Sequence, residues 1–315
     1  MPETFNDTPR QRTSQGRWRG LGLPDSMTMY EVDCLLDGRD WVGPVPELGY
    51  RVYLQRSGAY LRRVNGQASF VDATSVLLTR PGDEMFLAHP FGCGDVYTCL
   101  EIPAEVLADR PDARRWFDRT GWEGRLEARL DLEHRKLVAR ARRGIDRFAL
   151  TEGVHRFLAE VLSDSPLHTG DPGADLDRAV GQRPATRAAH RRLADRARQV
   201  LGATGFALGL TEVAREVGCS PHHLSRVFQR VTGRSLTSYR NDLRVRAVLH
   251  TLESGDAPPL GTMAAEYGFA DQAHLTRVVR AQVGEPPARL RRLLSPGQGR
   301  PAGTASGAAT LRRAA

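Results

Sequence analysis

Arg226 and Arg277 stand at matching positions in two copies of one short pattern, 51 residues apart. Around them lie His222, Ser225 and Gln229 in the first copy, and Gln272, His274, Thr276 and Arg280 in the second. These types share a chemistry. A guanidinium pairs bidentately with guanine, a glutamine amide with adenine, and Ser, Thr or His meets phosphates or base edges. Groove reading follows if two helices present these side chains outward.

The flanking residues describe such helices. A small residue is needed where two helices cross, and Ala214 and Ala264 supply it. Gly218 and Gly268 suit the left-handed turn that ends the first helix of each pair. Ser220 and Asp271 supply side-chain acceptors to cap the next helix, and Pro221 fits a first helical position. Leu224, Val227 and Phe228 form an i, i+3, i+4 apolar stripe, as do Leu275, Val278 and Val279. The alanines and first glycines repeat at an offset of 50, while Leu224/Leu275 and Gly233/Gly284 repeat at 51, so the second turn holds one extra residue. His222 and His223 are adjacent and diverge on a helix, which makes them a poor metal pair.

Between the copies, Ser235 to roughly Ser254 reads as one helix that buries Tyr239, Leu243, Val248 and Leu252 and stops at Gly255. About 19 residues at 1.5 Å each span about 28 Å, close to the roughly 34 Å between successive major-groove faces on one side of a duplex.

The segment from about Ala188 to Leu294 resembles the DNA-binding domain of the AraC/XylS family of bacterial transcription regulators. The first half carries Ala-x-x-x-Gly, Ser-Pro-x-x-Leu-Ser-Arg-x-Phe and Gly-x-Ser-x-x-x-Tyr-Arg, ending at Arg240. The second carries Gly-Phe-x-Asp-x-x-His-Leu-x-Arg and Gly-x-x-Pro, ending at Pro287. Leu275 and Val279 replace the usual Phe, and Leu290 stands near the usual Tyr. The resemblance implies that His222, Ser225 and Arg226, with Gln272, Ala273, His274, Thr276 and Arg277, face the bases. Ala273 can offer only a methyl contact to thymine.

Charge distribution agrees. The chain has 44 arginines and a single lysine, Lys136, so arginine abundance alone says little. Residues 183–296, however, hold 18 Arg against 9 Asp and Glu, a net of +9 in a chain whose total is +8. Positive charge is gathered with the repeat, as phosphate binding requires. The first twenty residues are polar and no apolar run approaches a membrane span, so a cytoplasmic protein is expected. Cys34, Cys93, Cys99 and Cys219 show no paired spacing and read as reduced thiols.

The first half has a different texture. Val52–Leu54, Tyr60–Val64, Ser69–Val71, Ser75–Leu78 and Val96–Leu100 are short β-like runs, with a hairpin signal at Asn65-Gly66 and a turn at Pro81-Gly82-Asp83. Such spacing argues a barrel or sandwich, and relatives commonly carry a cupin-type sensor here, which this stretch resembles. Metal-binding cupins use a His-x-His pair, whereas His89 is the only histidine before Leu132. No metal and no cofactor are therefore expected. The Gly-rich loop from His89 to Asp95 reads either as a pocket wall or as a plain connection, and Trp41 and Phe70 as pocket wall or core. Leu132–Arg143 reads as a basic helix. Val154, Phe157, Leu158, Val161 and Leu162 form a stripe suited to internal packing or dimerisation.

The expected fold class is α+β and multidomain: a cupin-like β-barrel with trailing helices, then an all-α domain with two helix-turn-helix motifs joined by a long helix. The expected divisions are a disordered tail at 1–20, the sensing or dimerisation domain at 21–162, a linker at 163–186, the DNA-binding domain at 187–295 and a disordered tail at 296–315. The expected function is a sequence-specific transcription regulator, an activator by resemblance, with no catalytic residues. Its partners are double-stranded DNA, a small-molecule effector without assigned contact residues, RNA polymerase if it activates, and a second copy if it dimerises; no membrane is involved. The alternatives are a cupin-type enzyme fused to a DNA-binding module, a repair methyltransferase fused to a similar module, and a constitutive regulator whose barrel is only a scaffold. The methyltransferase would need a cysteine-rich metal-binding N-terminus, which this chain lacks.

Overall fold

The expected strands form in two antiparallel sheets. The computed structural model describes residues 16–21, 27–92, 94–108, 117–118, 121–162 and 183–295. One sheet runs in the order β1 (Gly16–Gly20), β2 (Thr28–Cys34), β9 (Asp95–Ile102), β4 (Tyr50–Ser57), β7 (Ser75–Thr79) and β10 (Glu123–Arg125). The other runs β3 (Val42–Pro46), β8 (Glu84–Ala88), β5 (Ala59–Val64) and β6 (Gln67–Asp72). The Asn65-Gly66 hairpin is as expected: Val64 pairs with Gln67, and the two turn residues have φ of 45° and 85°.

Alternation along β4 divides the interior. Tyr53 turns between the sheets toward Tyr60, Leu77 and Leu87. Val52 and Leu54 point the other way, into a large core with Phe157, Leu158 and Val161. That core is covered by α2 (Ala128–Arg142) and α3 (Arg147–Val161), after the short α1 (Ala104–Ala108). The stripe on α3 therefore packs within its own chain. Trp41 is 39% exposed beneath the Arg63 guanidinium, whereas Phe70 is buried.

Three boundary expectations need correction. β1 occupies Gly16–Gly20, inside the expected disordered tail, because its backbone pairs residue by residue with β2. The segment expected as trailing helices is not all helical, since β10 adds to β7. A helix, α4 (Pro184–Ala203), begins within the expected linker. Residues 163–182 of that linker, residues 1–15 of the first tail, the whole of 296–315 and Cys93 lie outside the described residues.

The C-terminal half continues with α5 (Leu210–Glu216), α6 (Pro221–Thr232), α7 (Leu236–Leu252), α8 (Leu260–Glu266), α9 (Gln272–Val283) and α10 (Pro287–Leu294). It has two cores. Ala194, Ala197 and Leu201 of α4 pack with Ala214, Leu224, Phe228, Tyr239 and Leu243. Val245, Val248 and Leu252 pack with Met263, Ala264, Leu275, Val279, Leu290 and, from the barrel side, Leu132 of α2. Among the described residues, no helix is long and apolar enough to cross a membrane.

The halves are joined by buried charge. Arg56 on β4 pairs with Glu31 on β2 and with Glu253 at the end of α7. Arg135 on α2 reaches Glu253 at 2.8 Å, Asp131 at 2.7 Å and the Arg56 carbonyl at 2.8 Å. Arg246 on α7 pairs with Asp131 and Asp242, each at 3.1 Å, and donates to the Leu126 carbonyl. The supposed basic helix is therefore the central strut of the molecule, with Asp131, Leu132, His134 and Arg135 all buried. Burial alone would raise the Glu253 carboxyl, but the Arg56 and Arg135 guanidinia hold it well below the usual carboxylate range. Asp131 is lowered in the same way, between Arg135 and Arg246.

A second junction lies beside α4. There Arg198 meets Asp72 at 3.2 Å and the Tyr239 hydroxyl at 2.8 Å, with its guanidinium over the Phe70 ring. Tyr239 also bonds Asp72.

Candidate nucleic-acid interface

Each half of the repeat forms the helix pair that its residues specify. Ala214 and Ala264 are buried at the crossings. Gly218 and Gly268 adopt φ of 74° and 72°, the left-handed geometry for which glycine is suited. Ser220 accepts from the His223 amide at 3.2 Å and Asp271 from the His274 amide at 2.6 Å, so α6 and α9 start where their caps require. Both helices end in left-handed glycines, Gly233 and Gly284. Leu224, Val227 and Phe228 are buried on α6, as are Leu275 and Val279 on α9, while Val278 is half-buried at the edge of that core.

With those faces turned inward, His222, Arg226 and Gln229 are exposed on α6, and Gln272, Ala273, Arg277 and Arg280 on α9. Arg226, Arg277 and Arg280 make no ion pair among the described residues, which leaves their guanidinia available to a ligand. Ser225 and Thr276 are half-buried, and Thr276 donates to the Gln272 carbonyl at 2.9 Å.

Two expected readers are partly used elsewhere. The His274 ring accepts from the Ala270 amide through Nδ1 at 3.1 Å and packs edge-on to Phe269, so it braces the turn as well as facing the surface. The Gln229 amide donates to the Gly233 carbonyl at 3.0 Å, at the C-terminal cap of α6. A His or Gln one turn from a cap can satisfy orphan backbone groups, a competing role that residue type does not reveal.

The spacer α7 runs Leu236–Leu252, capped by Ser235, whose hydroxyl accepts from Ser238. It is shorter at both ends than the expected Ser235–Ser254 span. Seventeen residues make a rod of about 26 Å. Its buried set extends beyond the expected apolar residues to Asp242, Arg244 and Arg246, because it packs on the barrel side as well as between the modules.

The comparisons with known proteins converge on this half. The family profile described as a helix-turn-helix domain matches residues 213–293. The multiple antibiotic resistance protein MarA of Escherichia coli is 32% identical over 93 residues, covering 30% of this chain and 72% of that protein. The chain belongs to the AraC/XylS family of DNA-binding transcription regulators. The arabinose operon regulatory protein of Escherichia coli is 33% identical over 82 residues, covering 26% of this chain and 28% of that protein. An apo ToxT variant from Vibrio cholerae covers 86% of this AraC/XylS member and 99% of its own chain, a distant likeness at TM-score 0.35 and 11% identity.

Between the two sheets, Cys34, His89 and Asp95 form one buried cluster. Cys34 and Asp95 are direct cross-strand partners of β2 and β9, and His89 Nε2 lies 2.8 Å from Asp95 Oδ1. Burial, then the Asp95 carboxylate, push the Cys34 thiol up to about 12. At neutral pH it is a thiol rather than a nucleophilic thiolate. In the sequence His89 has no second histidine nearby; the fold brings it a thiol and a carboxylate instead.

Proposed function

We propose that this regulator lays α6 and α9 into successive major grooves on one face of a duplex, with Arg226 and Arg277 as the principal base readers. His222, Ser225, Gln229, Gln272, Thr276 and Arg280 line the same surfaces, and His274 supports the second. The carrying observation is the pair of exposed guanidinia, without an ion pair among the described residues, on equivalent faces of two capped helices, joined by one rod of about 26 Å. The roughly 34 Å groove repeat exceeds that length, and modest bending of the duplex toward the protein brings the two into register.

The N-terminal half acts in this reading as a regulatory domain rather than an enzyme, and its state biases the reading helices through the α2–α7 junction. Physically this is a coupling free energy between two sites, carried by the contacts that differ between docked and loosened arrangements. Activation through RNA polymerase, a cytoplasmic location, and division into a barrel domain ending near 162 and a DNA-binding domain starting near 184 complete the reading. A small-molecule effector for the N-terminal half belongs to the same reading.

Selection of bound sites from a random duplex library with the full chain tests the reading. The expected result is a bipartite motif whose two parts lie about one helical turn apart. Recovery of no enriched sequence over scrambled competitor would sink it.

A further inference from the structure

We propose that the barrel binds one zinc-type divalent ion through Cys34 Sγ, His89 Nε2 and an Asp95 carboxylate oxygen, with a fourth position open to the adjoining cavity. The three donor atoms lie within 4.8 Å of one another, and all three residues are buried. Around a tetrahedral ion, ligand atoms sit about 3.4–3.8 Å apart, given metal–ligand bonds of roughly 2.0–2.3 Å. Side-chain adjustments of an ångström or so would gather them. The ion takes the place of the hydrogen bond between His89 Nε2 and Asp95 Oδ1, with the neutral imidazole carrying its proton on Nδ1, and displaces the Cys34 thiol proton to solvent, as metal–thiolate formation does.

Charge balance favours a divalent cation. A thiolate and a carboxylate together neutralise two positive charges, so the closed site carries no net charge into a buried region. The mixture of sulfur, nitrogen and oxygen suits zinc better than calcium or magnesium, which prefer all-oxygen shells.

The surroundings resemble an outer shell. Gln55, itself buried, donates from Nε2 to Asp95 Oδ2 at 2.9 Å, which leaves Oδ1 to face His89. The Gln55 Oε1 atom has no hydrogen-bond partner among the described residues. Such second contacts orient metal-binding carboxylates generally. The cluster lines a cavity of about 30 Å³ together with Tyr53, Tyr60, Tyr97 and Met85. That space takes an ion and a water.

The backbone is built for this closeness. A Cβ on Gly94 would fall 1.8 Å from the Cys34 carbonyl oxygen, and one on Gly58 would fall 2.7 Å from the Asp95 Cα. Only glycine lets the loop after His89 approach the end of β2 so tightly. The proposal rests on barrel residues alone, and no DNA readout enters its test.

The test uses the untagged full-length chain, stripped with chelator and titrated with cobalt(II). The expected result is one equivalent bound, with a near-ultraviolet thiolate-to-cobalt charge-transfer band that zinc then displaces. Cys34→Ser should abolish the band, and His89→Gln and Asp95→Asn should each weaken binding at least tenfold. Cys219→Ser should change nothing. X-ray absorption of the wild-type zinc form should show one sulfur scatterer with nitrogen and oxygen, which keeps the test sound if a variant misfolds. A band that survives Cys34→Ser, a zinc spectrum without sulfur, or only weak multiple binding would overturn the proposal.

Discussion

Arg56 of the barrel and Glu253 of the DNA-binding half form a buried ion pair across 197 residues of sequence. Glu253 also receives Arg135, so one carboxylate at the end of α7 takes guanidinia from β4 and α2. A buried pair contributes modestly as a pair, but removing one partner strands the other away from water at about 3–5 kcal/mol. The docked junction is therefore sensitive to the loss of any one of its charges.

Glu253→Gln is expected to destabilise the chain by about 3–5 kcal/mol, because Arg56 and Arg135 lose their shared counter-charge. Differential scanning calorimetry checks it. Wild type should melt with its halves coupled, while the variant should resolve into two transitions. A single unshifted transition in the variant would show that the junction adds no cohesion.

Acid should open the same junction. The carboxyls of Glu253 and Asp131 are held low in the folded chain. Their contribution is thus fully present above the unfolded carboxylate range near about 4, and fades as pH falls through the lowered folded values. Thermal melts at falling pH should show wild type losing its advantage over Glu253→Gln below about pH 4. A constant gap down to pH 2 would refute the assignment.

Arg226→Ala and Arg277→Ala should each cost about 1–3 kcal/mol in operator binding and relax preference at one base position. Fluorescence anisotropy with the selected site and its single-base variants measures both effects. If a substitution weakens all sequences equally, the arginine holds phosphate instead, and the salt slope should fall by about one.

Leu132→Ala should destabilise the second helix-turn-helix module although it lies outside it. Leu132 is 1% exposed in a core with Leu275, Val279 and Leu290, and buried Leu→Ala changes cost about 2–5 kcal/mol. Hydrogen exchange should quicken in α8 and α9 while α5 and α6 keep their protection. Uniform quickening in both modules would argue that Leu132 acts on global stability only.

The reading helices were legible in the sequence because their determinants are local. Ala214, Gly218, Ser220 and Leu224 lie within one short stretch, and each does one thing that its residue type dictates. The barrel was half legible: the Asn65-Gly66 hairpin announced itself, while β1 and β10 depend on partners distant in the chain. The Cys34–Asp95 pairing is a matter of register between strands about sixty residues apart, which no spacing rule encodes. The junction was illegible for a different reason. In a chain with 44 arginines, Arg56, Arg135 and Arg246 look like any solvated guanidinium until their carboxylates appear beside them.

Helix α7 has a double allegiance. One rod fixes the distance between the two probes, and the same rod is gripped at Arg246 and Glu253 by the opposite half of the molecule. Loosening that grip frees the whole caliper to tilt, so the tolerated gap between half-sites should widen before overall avidity declines. Control of such a protein would register as a change in which promoters fit, more than in how tightly any one is held.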